Sequence, residues 1–166
     1  CNVDFLNTVH TMSKILSKKD KRDYVTHLKV NEDKIYATNG KILIACNNIY
    51  EWGPGYYKII KTTKARIELY KTDDINYPDI KLFDESFNKS FDRYCKIPSD
   101  IPTAAVIDFF LLTGNSYSEE YLSLITYISE NWWTVFDYKK DAPLLLKNNQ
   151  TEITIMPFHH NLPDER

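Results

Sequence analysis

The chain has 166 residues, 43% of them hydrophobic and 14% aromatic, a composition that excludes a disordered or low-complexity segment and suits one packed domain. Lys and Arg together number 21 against 23 Asp and Glu, a net charge of −2, so no global field draws the chain to nucleic acid and any contact with phosphates needs a local cluster. No apolar run approaches the roughly 20 residues that span a bilayer, and the charged-then-apolar pattern of a secretory signal is missing, so a cytoplasmic protein without a membrane partner is expected.

In chain order, Phe5, Val9, Met12 and Leu16 recur at helical spacing, with Leu6 and Ile15 beside them. Asn2 or Asp4 can cap this helix, and the charged stretch Lys18–Asp23 ends it. Its opposite face carries Asn7, Thr11, Lys14 and Lys18. Three strands are predicted next, Tyr24–Val30, Lys34–Thr38 and Lys41–Asn47. Asn31-Glu32-Asp33 separates the first two, and Asn39-Gly40, a strong hairpin signal because both residues tolerate positive φ, separates the second from the third. After Gly53-Pro54-Gly55, the runs Tyr56–Lys61 and Ala65–Lys71 read as another hairpin. From Thr72 to Ser99 the pattern weakens into an irregular crossing segment, with a short helix around Phe87–Tyr94.

Ala104–Leu112 reads as a strand, and Ser116-Tyr117-Ser118-Glu119 fits a capping box. Tyr121, Ile125, Ile128 and Trp132 then mark the buried face of a second helix, supported by Leu122 and Leu124. Strands are predicted at Trp133–Tyr138, Pro143–Lys147 and Glu152–Met156. The order helix, strand, strand, strand thus occurs twice, as in an internally pseudo-symmetric domain.

The chain carries few motifs of catalytic chemistry. Cys1, Cys46 and Cys95 are far apart and form no CxxC pair, and His159 and His160 have no ligand partner at metal spacing, so no metal site and no cofactor are expected. There is no Gly-x-Ser-x-Gly elbow, no glycine-rich phosphate loop and no His-Glu-x-x-His. His10 and His27 have no obvious nucleophile beside them, and the adjacent acids Asp73-Asp74 and Glu119-Glu120 splay apart on a strand or helix. The chain is therefore read as a binding protein and not an enzyme. Lys14, Lys18, Lys19, Lys21 and Arg22 form the one basic cluster, either a solvated helix end complementing the dipole or a phosphate-binding surface. A further reading places single-stranded nucleic acid on the middle hairpin, where Tyr56, Tyr57, Lys58, Lys61, Lys64 and Arg66 interleave aromatics with cations.

Three segments carry a resemblance. Ala37-Thr38-Asn39-Gly40-Lys41-Ile42-Leu43 resembles the Ala-Thr-Asp-Gly-His-Arg-Leu segment of bacterial DNA polymerase sliding clamps, the β subunit family. Thr154-Ile155-Met156-Pro157-Phe158 is similar to the last strand of those clamps, and Ala142-Pro143-Leu144-Leu145-Leu146 to the strand before it. The chain departs from the family in three places: Asn39 stands for an acidic residue, Lys41-Ile42 for His-Arg and His159 for arginine. Residues 1–47 and 104–158 follow the clamp pattern, and the segment at about 50–100 reads as an insertion or a local elaboration within one clamp-like domain covering 1–166.

The resemblance implies an α+β, DNA-clamp-like domain: two helix-plus-three-strand units with the helices on one side of antiparallel sheets. It implies a replication processivity or DNA-tethering factor that holds double-stranded DNA without sequence preference, through Lys14, Lys18, Lys19, Lys21 and Arg22. It also implies a pocket for short peptides of replication or repair proteins at Thr38, Gly40, Lys41, Ile42, Leu43, Thr154, Met156 and Pro157. The family's pocket spans two domains, so one copy holds half of each site. A family chain carries three such domains, so a ring would require a homo-oligomer. The second helix exposes Glu119, Glu120, Ser123, Tyr127 and Glu130, an acidic lining that favours the alternative: a clamp-fold protein-interaction module, such as an accessory factor of a phage or mobile element, that does not encircle DNA.

Overall fold

The computed structural model describes residues 3–63, 65–80, 94–97, 117–128, 133–136 and 143–157. Helix α1 (Val3–Ile15) is followed by a 3-10 turn at Asp23–Val25 and then by β1 (Leu28–Val30), β2 (Lys34–Thr38), β3 (Ile42–Asn47), β4 (Gly55–Thr62), β5 (Ile67–Thr72) and β6 (Tyr94–Ile97). Helix α2 (Glu119–Ile128), β7 (Trp133–Phe136), β8 (Leu144–Lys147) and β9 (Thr151–Ile155) complete the described elements.

The strands form one antiparallel sheet of nine, in the order β5-β4-β1-β2-β3-β9-β8-β7-β6. The two expected three-stranded units are present as β1-β2-β3 and β7-β8-β9, and they are fused rather than separate. β3 and β9 pair edge to edge from Ile42↔Ile155 to Cys46↔Thr151, which leaves no free sheet edge at the centre. Around this junction the halves mirror each other, and β4 stands beside β1 as β6 stands beside β7.

Period-two alternation decides which face each strand residue takes. Leu28, Val30, Ile35, Ala37, Ile42, Ile44, Cys46, Leu144, Leu146, Ile153 and Ile155 point to one face and pack there with Phe5, Val9, Met12 and Ile15 of α1 and Leu122, Ile125 and Ile128 of α2. Both helices therefore lie on the same side of the sheet, next to each other. The opposite face is also covered at its centre: Tyr36, Leu43 and Ala45 pack under Ile80 and Tyr77 of the segment that leaves β5.

The turns share a device. Asn31 Oδ1 accepts from Asp33 N and Lys34 N at 2.9 and 2.7 Å, and Asn39 Oδ1 accepts from Lys41 N and Ile42 N at 2.9 and 3.2 Å. Asn148 Oδ1 likewise accepts from Gln150 N and Thr151 N at 3.0 and 2.8 Å. An asparagine carbonyl that replaces a backbone acceptor sets each reversal. The β2–β3 turn is centred on Gly40-Lys41 and not on Asn39-Gly40, with positive φ only at Gly40 (89°), the position that a type II′ turn reserves for glycine.

Other expectations are corrected in detail. The first strand begins at Leu28, not Tyr24, because residues 23–27 bond locally: Thr26 Oγ1 donates to the Asp23 carbonyl at 2.8 Å and His27 Nδ1 lies 2.9 Å from the same oxygen. The cap of α2 is Ser118, whose Oγ accepts from Tyr121 N at 3.4 Å, two residues beyond the expected cap; Ser116 lies outside the described residues. Asp4 sits within the first turn of α1 rather than before it, and Asn2 lies outside the described residues. Thr11, expected on the solvated face of α1, is fully buried, as is Thr8, and each hydroxyl donates to a carbonyl one turn back. The stretch read as irregular holds a strand, β6, paired to β7. The strand expected at Ala104–Leu112, most of the helix expected at Phe87–Tyr94, and Trp132 lie outside the described residues.

Candidate nucleic-acid interface and partner site

Lys14, Lys18, Lys19, Lys21 and Arg22 are all exposed at the C-terminal end of α1 and in the turn that follows it. They are not equivalent. Arg22 is engaged by Asp20: its Nε and Nη2 donate to Oδ1 and Oδ2 at 3.1 and 3.0 Å, and Nη1 donates to Tyr24 Oη at 3.2 Å. This hydrogen-bonded pairing holds the Asp20 carboxyl at about 2 and pushes the already high pKa of Arg22 further up. A guanidinium so occupied is a poor free ligand for phosphate. Lys14 leans across to α2, with Nζ 4.8 Å from the centre of the Tyr127 ring.

The exposed face of α2 carries Glu119, Glu120, Ser123 and Tyr127, as its sequence led us to expect; Glu130 lies outside the described residues. The two helices thus present one surface, basic at the far end of α1 and acidic at the start of α2.

The two segments expected to form a peptide pocket are brought together within this chain. Ile42 pairs with Ile155 and Leu43 with Thr154, and Met156 N–H donates to the Lys41 carbonyl at 2.9 Å. Thr38, Ile42, Leu43, Thr154 and Pro157 are buried there, so the surface that remains is Gly40, Lys41 and Met156. Thr38 Oγ1 donates to the Ile42 carbonyl at 2.9 Å and accepts from Gly40 N at 3.1 Å, a turn-closing role. Thr154 Oγ1 is buried with no hydrogen-bond partner among the described residues. Asn39 Nδ2 donates to Tyr121 Oη at 2.9 Å, which anchors this turn to α2.

The aromatic and cationic residues of the β4–β5 hairpin do not form a stacking platform. Tyr57 packs against the helix-side core, whereas Tyr56 lies on the other face, its ring 5.8 Å from that of Tyr77. Arg66 is paired with Glu68 at 2.7 Å, and Lys64 lies outside the described residues. His10 bonds Thr62 Oγ1 at 2.8 Å and ties α1 to β4, while His27 is buried against its own turn. Among the described residues no three His, Cys, Asp or Glu side chains come together as a metal site, and no helix is long and apolar enough to cross a membrane.

Two helices side by side on one face of a continuous antiparallel sheet, built from two mirrored halves, is the arrangement found in solved DNA polymerase clamps. A protein described as a DNA polymerase III beta subunit from Eubacterium rectale superposes with a TM-score of 0.65 at 10% identity, over 98% of this chain and 65% of that one. The fold is the sliding-clamp fold. Caulobacter crescentus pol III beta gives a TM-score of 0.63 at 12% identity, over 95% of this chain and 64% of its own. The Helicobacter pylori beta clamp bound to a DNA ligase peptide gives 0.60 at 8% identity, over 93% and 63%. The chain thus spans less than two thirds of the length of these clamps. No protein-family model matches its sequence, and no curated protein does. What is shared is backbone architecture, with most side chains changed.

Proposed function

We propose that this clamp-fold chain is a non-catalytic DNA-tethering factor of replication or repair, which holds duplex DNA through the basic end of α1 and docks partner proteins through short peptides. The observation that carries this reading is the position of Lys14 and Lys18, exposed on the helix layer of a clamp fold. Phosphate contacts of this kind give sequence-independent, salt-dependent affinity, which a tether that moves along DNA requires. The peptide site would lie at Lys41 and Met156, at the end of the β3–β9 pair beside the Gly40-Lys41 turn. Self-association of several copies would supply the additional domains of a ring.

The test is duplex binding by fluorescence anisotropy over a salt series, with light scattering to give the mass of the free and bound protein. Lys14→Gln with Lys18→Gln is expected to weaken binding to unrelated duplexes by about the same factor and to flatten the salt dependence. Absence of duplex binding at low salt would overturn the reading.

A second reading, a clamp-fold protein-docking module that leaves DNA alone, is favoured by the exposed Glu119 and Glu120 on α2 and by the capture of Arg22 by Asp20. It predicts a monomer indifferent to DNA whose partner affinity falls with Lys41→Glu or Met156→Ala.

A further inference from the structure

Strand β4 outruns its neighbour. β1 pairs only with Gly55–Tyr57, so from Ile59 to Thr62 β4 has β5 on one side and no strand on the other among the described residues. The space left open is a groove of about 480 Å³ between the overhanging end of β4 and the last turns of α1. Its lining includes Lys14, Lys18 just beyond the end of α1, and Lys58 and Lys61 of β4; Lys14 Nζ is turned towards Tyr127 of α2, so Lys18, Lys58 and Lys61 are the cations left to the groove. The hydroxyls of Ser13, Thr26 and Thr62 that stand among them are engaged within the protein, by the His10 carbonyl, the Asp23 carbonyl and His10 Nδ1 respectively, and no lining residue is an acid. The nearest acid across the hairpin, Glu68 opposite Lys61, is held by Arg66 at 2.7 Å.

Lysines at a helix end can be explained by the negative end of the dipole. That accounts for Lys14 and Lys18, but not for Lys58 and Lys61, which belong to a strand. An open edge could instead take an extended peptide by strand addition. Here, however, β4 carries a bulge between Ile59 and Lys61 and a lysine on either side of it, both of which oppose pairing with another strand. A polyanion that needs cations, but no ladder of backbone bonds, fits better.

We propose that one phosphate backbone of duplex DNA lies in this groove. The DNA track is then one-sided: α1 and β4 carry it, and the acidic face of α2 stays outside it. This rests on the tethering reading above and adds Lys58 and Lys61 to the DNA-facing surface.

The experiment compares three double variants of the full chain in the same salt series. Lys58→Gln/Lys61→Gln is expected to weaken duplex binding on the order of tenfold and to lower the slope of log K against log salt by about 1.8, or roughly 0.9 for each phosphate no longer neutralised. Glu119→Gln/Glu120→Gln is expected to change affinity by less than about twofold, whereas a track running over both helices would gain clearly from it. All four residues are exposed, and an unchanged melting temperature confirms that the variants fold. If the β4 pair leaves affinity and slope unchanged while Lys14→Gln/Lys18→Gln abolishes binding, the groove is overturned and the tethering reading survives. If the wild-type chain binds no duplex, both fall. If it instead binds polyglutamate through Lys58 and Lys61, the groove is a protein site and the proposal is wrong.

Discussion

α1 and α2 rest on the same face of one sheet and bury the same kind of apolar stripe, yet α1 ends in Lys14 and runs into Lys18 while α2 begins with Glu119 and Glu120. The halves differ at their rims as well. The N-terminal unit adds the β4–β5 hairpin outside β1, and the C-terminal unit adds β6 outside β7. What repeats is what the core demands: a helix over three antiparallel strands, with alternate residues inward. What differs is what solvent and partners meet. Selection on packing and selection on surface act on alternate positions of the same strands and helices, so one scaffold can carry opposite charges on its two halves.

The two halves meet at the β3–β9 junction, and a cavity there tests whether they fold as one. Ile44 and Ile153 face each other across β3 and β9, both almost fully buried. Ile44→Ala or Ile153→Ala is expected to cost about 2–5 kcal/mol, the usual range for a cavity of this kind. Urea unfolding followed by circular dichroism and by tryptophan fluorescence should still give one coincident transition. Two separated transitions would show that the halves are independent.

Glu152 of β9 binds across the junction, with Oε2 2.9 Å from Lys34 Nζ of β2, and it also meets Lys147 Nζ at 3.5 Å within its own half. Because Glu152 is buried and both lysines are partly exposed, Glu152→Ala is expected to cost about 1–3 kcal/mol. A cost near zero would leave the fusion to apolar pairing alone.

The matching turns of the two halves allow a finer test. Gly40 has φ of 89°, and a Cβ there would meet nothing closer than Tyr24 Oη at 3.8 Å, so the penalty for Gly40→Ala is conformational, about 1–2 kcal/mol. Asn149 occupies the equivalent turn between β8 and β9 without positive φ, and Asn149→Ala should lower the melting temperature hardly at all.

The smallest effect concerns Cys46. Burial pushes its thiol from 9.0 up to about 12, so the folded state holds it neutral where the unfolded chain ionises. Stability from this site is complete below pH 9.0 and declines as pH rises towards 12, where the folded thiol also ionises. Brief alkylation near neutral pH, read by peptide mass spectrometry, should spare Cys46 in the native protein and modify it in urea.

Much of this molecule was legible in its residues. The 3.6-residue recurrence of Phe5, Val9 and Met12 and the alternation in Lys34–Thr38 give helix and strand directly, since both periods follow from backbone geometry. Asn31 and Asn39 announced turns by local chemistry, and the doubled helix-strand unit with its clamp-like segments pointed to the fold. The candidate site was legible only in part. Lys14 and Lys18 stood out as a cluster, but Lys58 and Lys61 lie some forty residues away in sequence and join them only because β4 overhangs a three-residue β1. The capture of Arg22 by Asp20 and the burial of Thr8 and Thr11 were equally invisible, because each depends on how the chain turns and on what packs against α1.

The sequence by itself determined most of the described elements and their order, though not β6 or the burial of Thr11, because a helix or strand period is set by residues a few positions apart. Only the tertiary structure decided that β3 and β9 fuse two units into one sheet, which lysines share a groove, and which charges are already paired. Those outcomes depend on contacts between distant segments, and no local pattern encodes them.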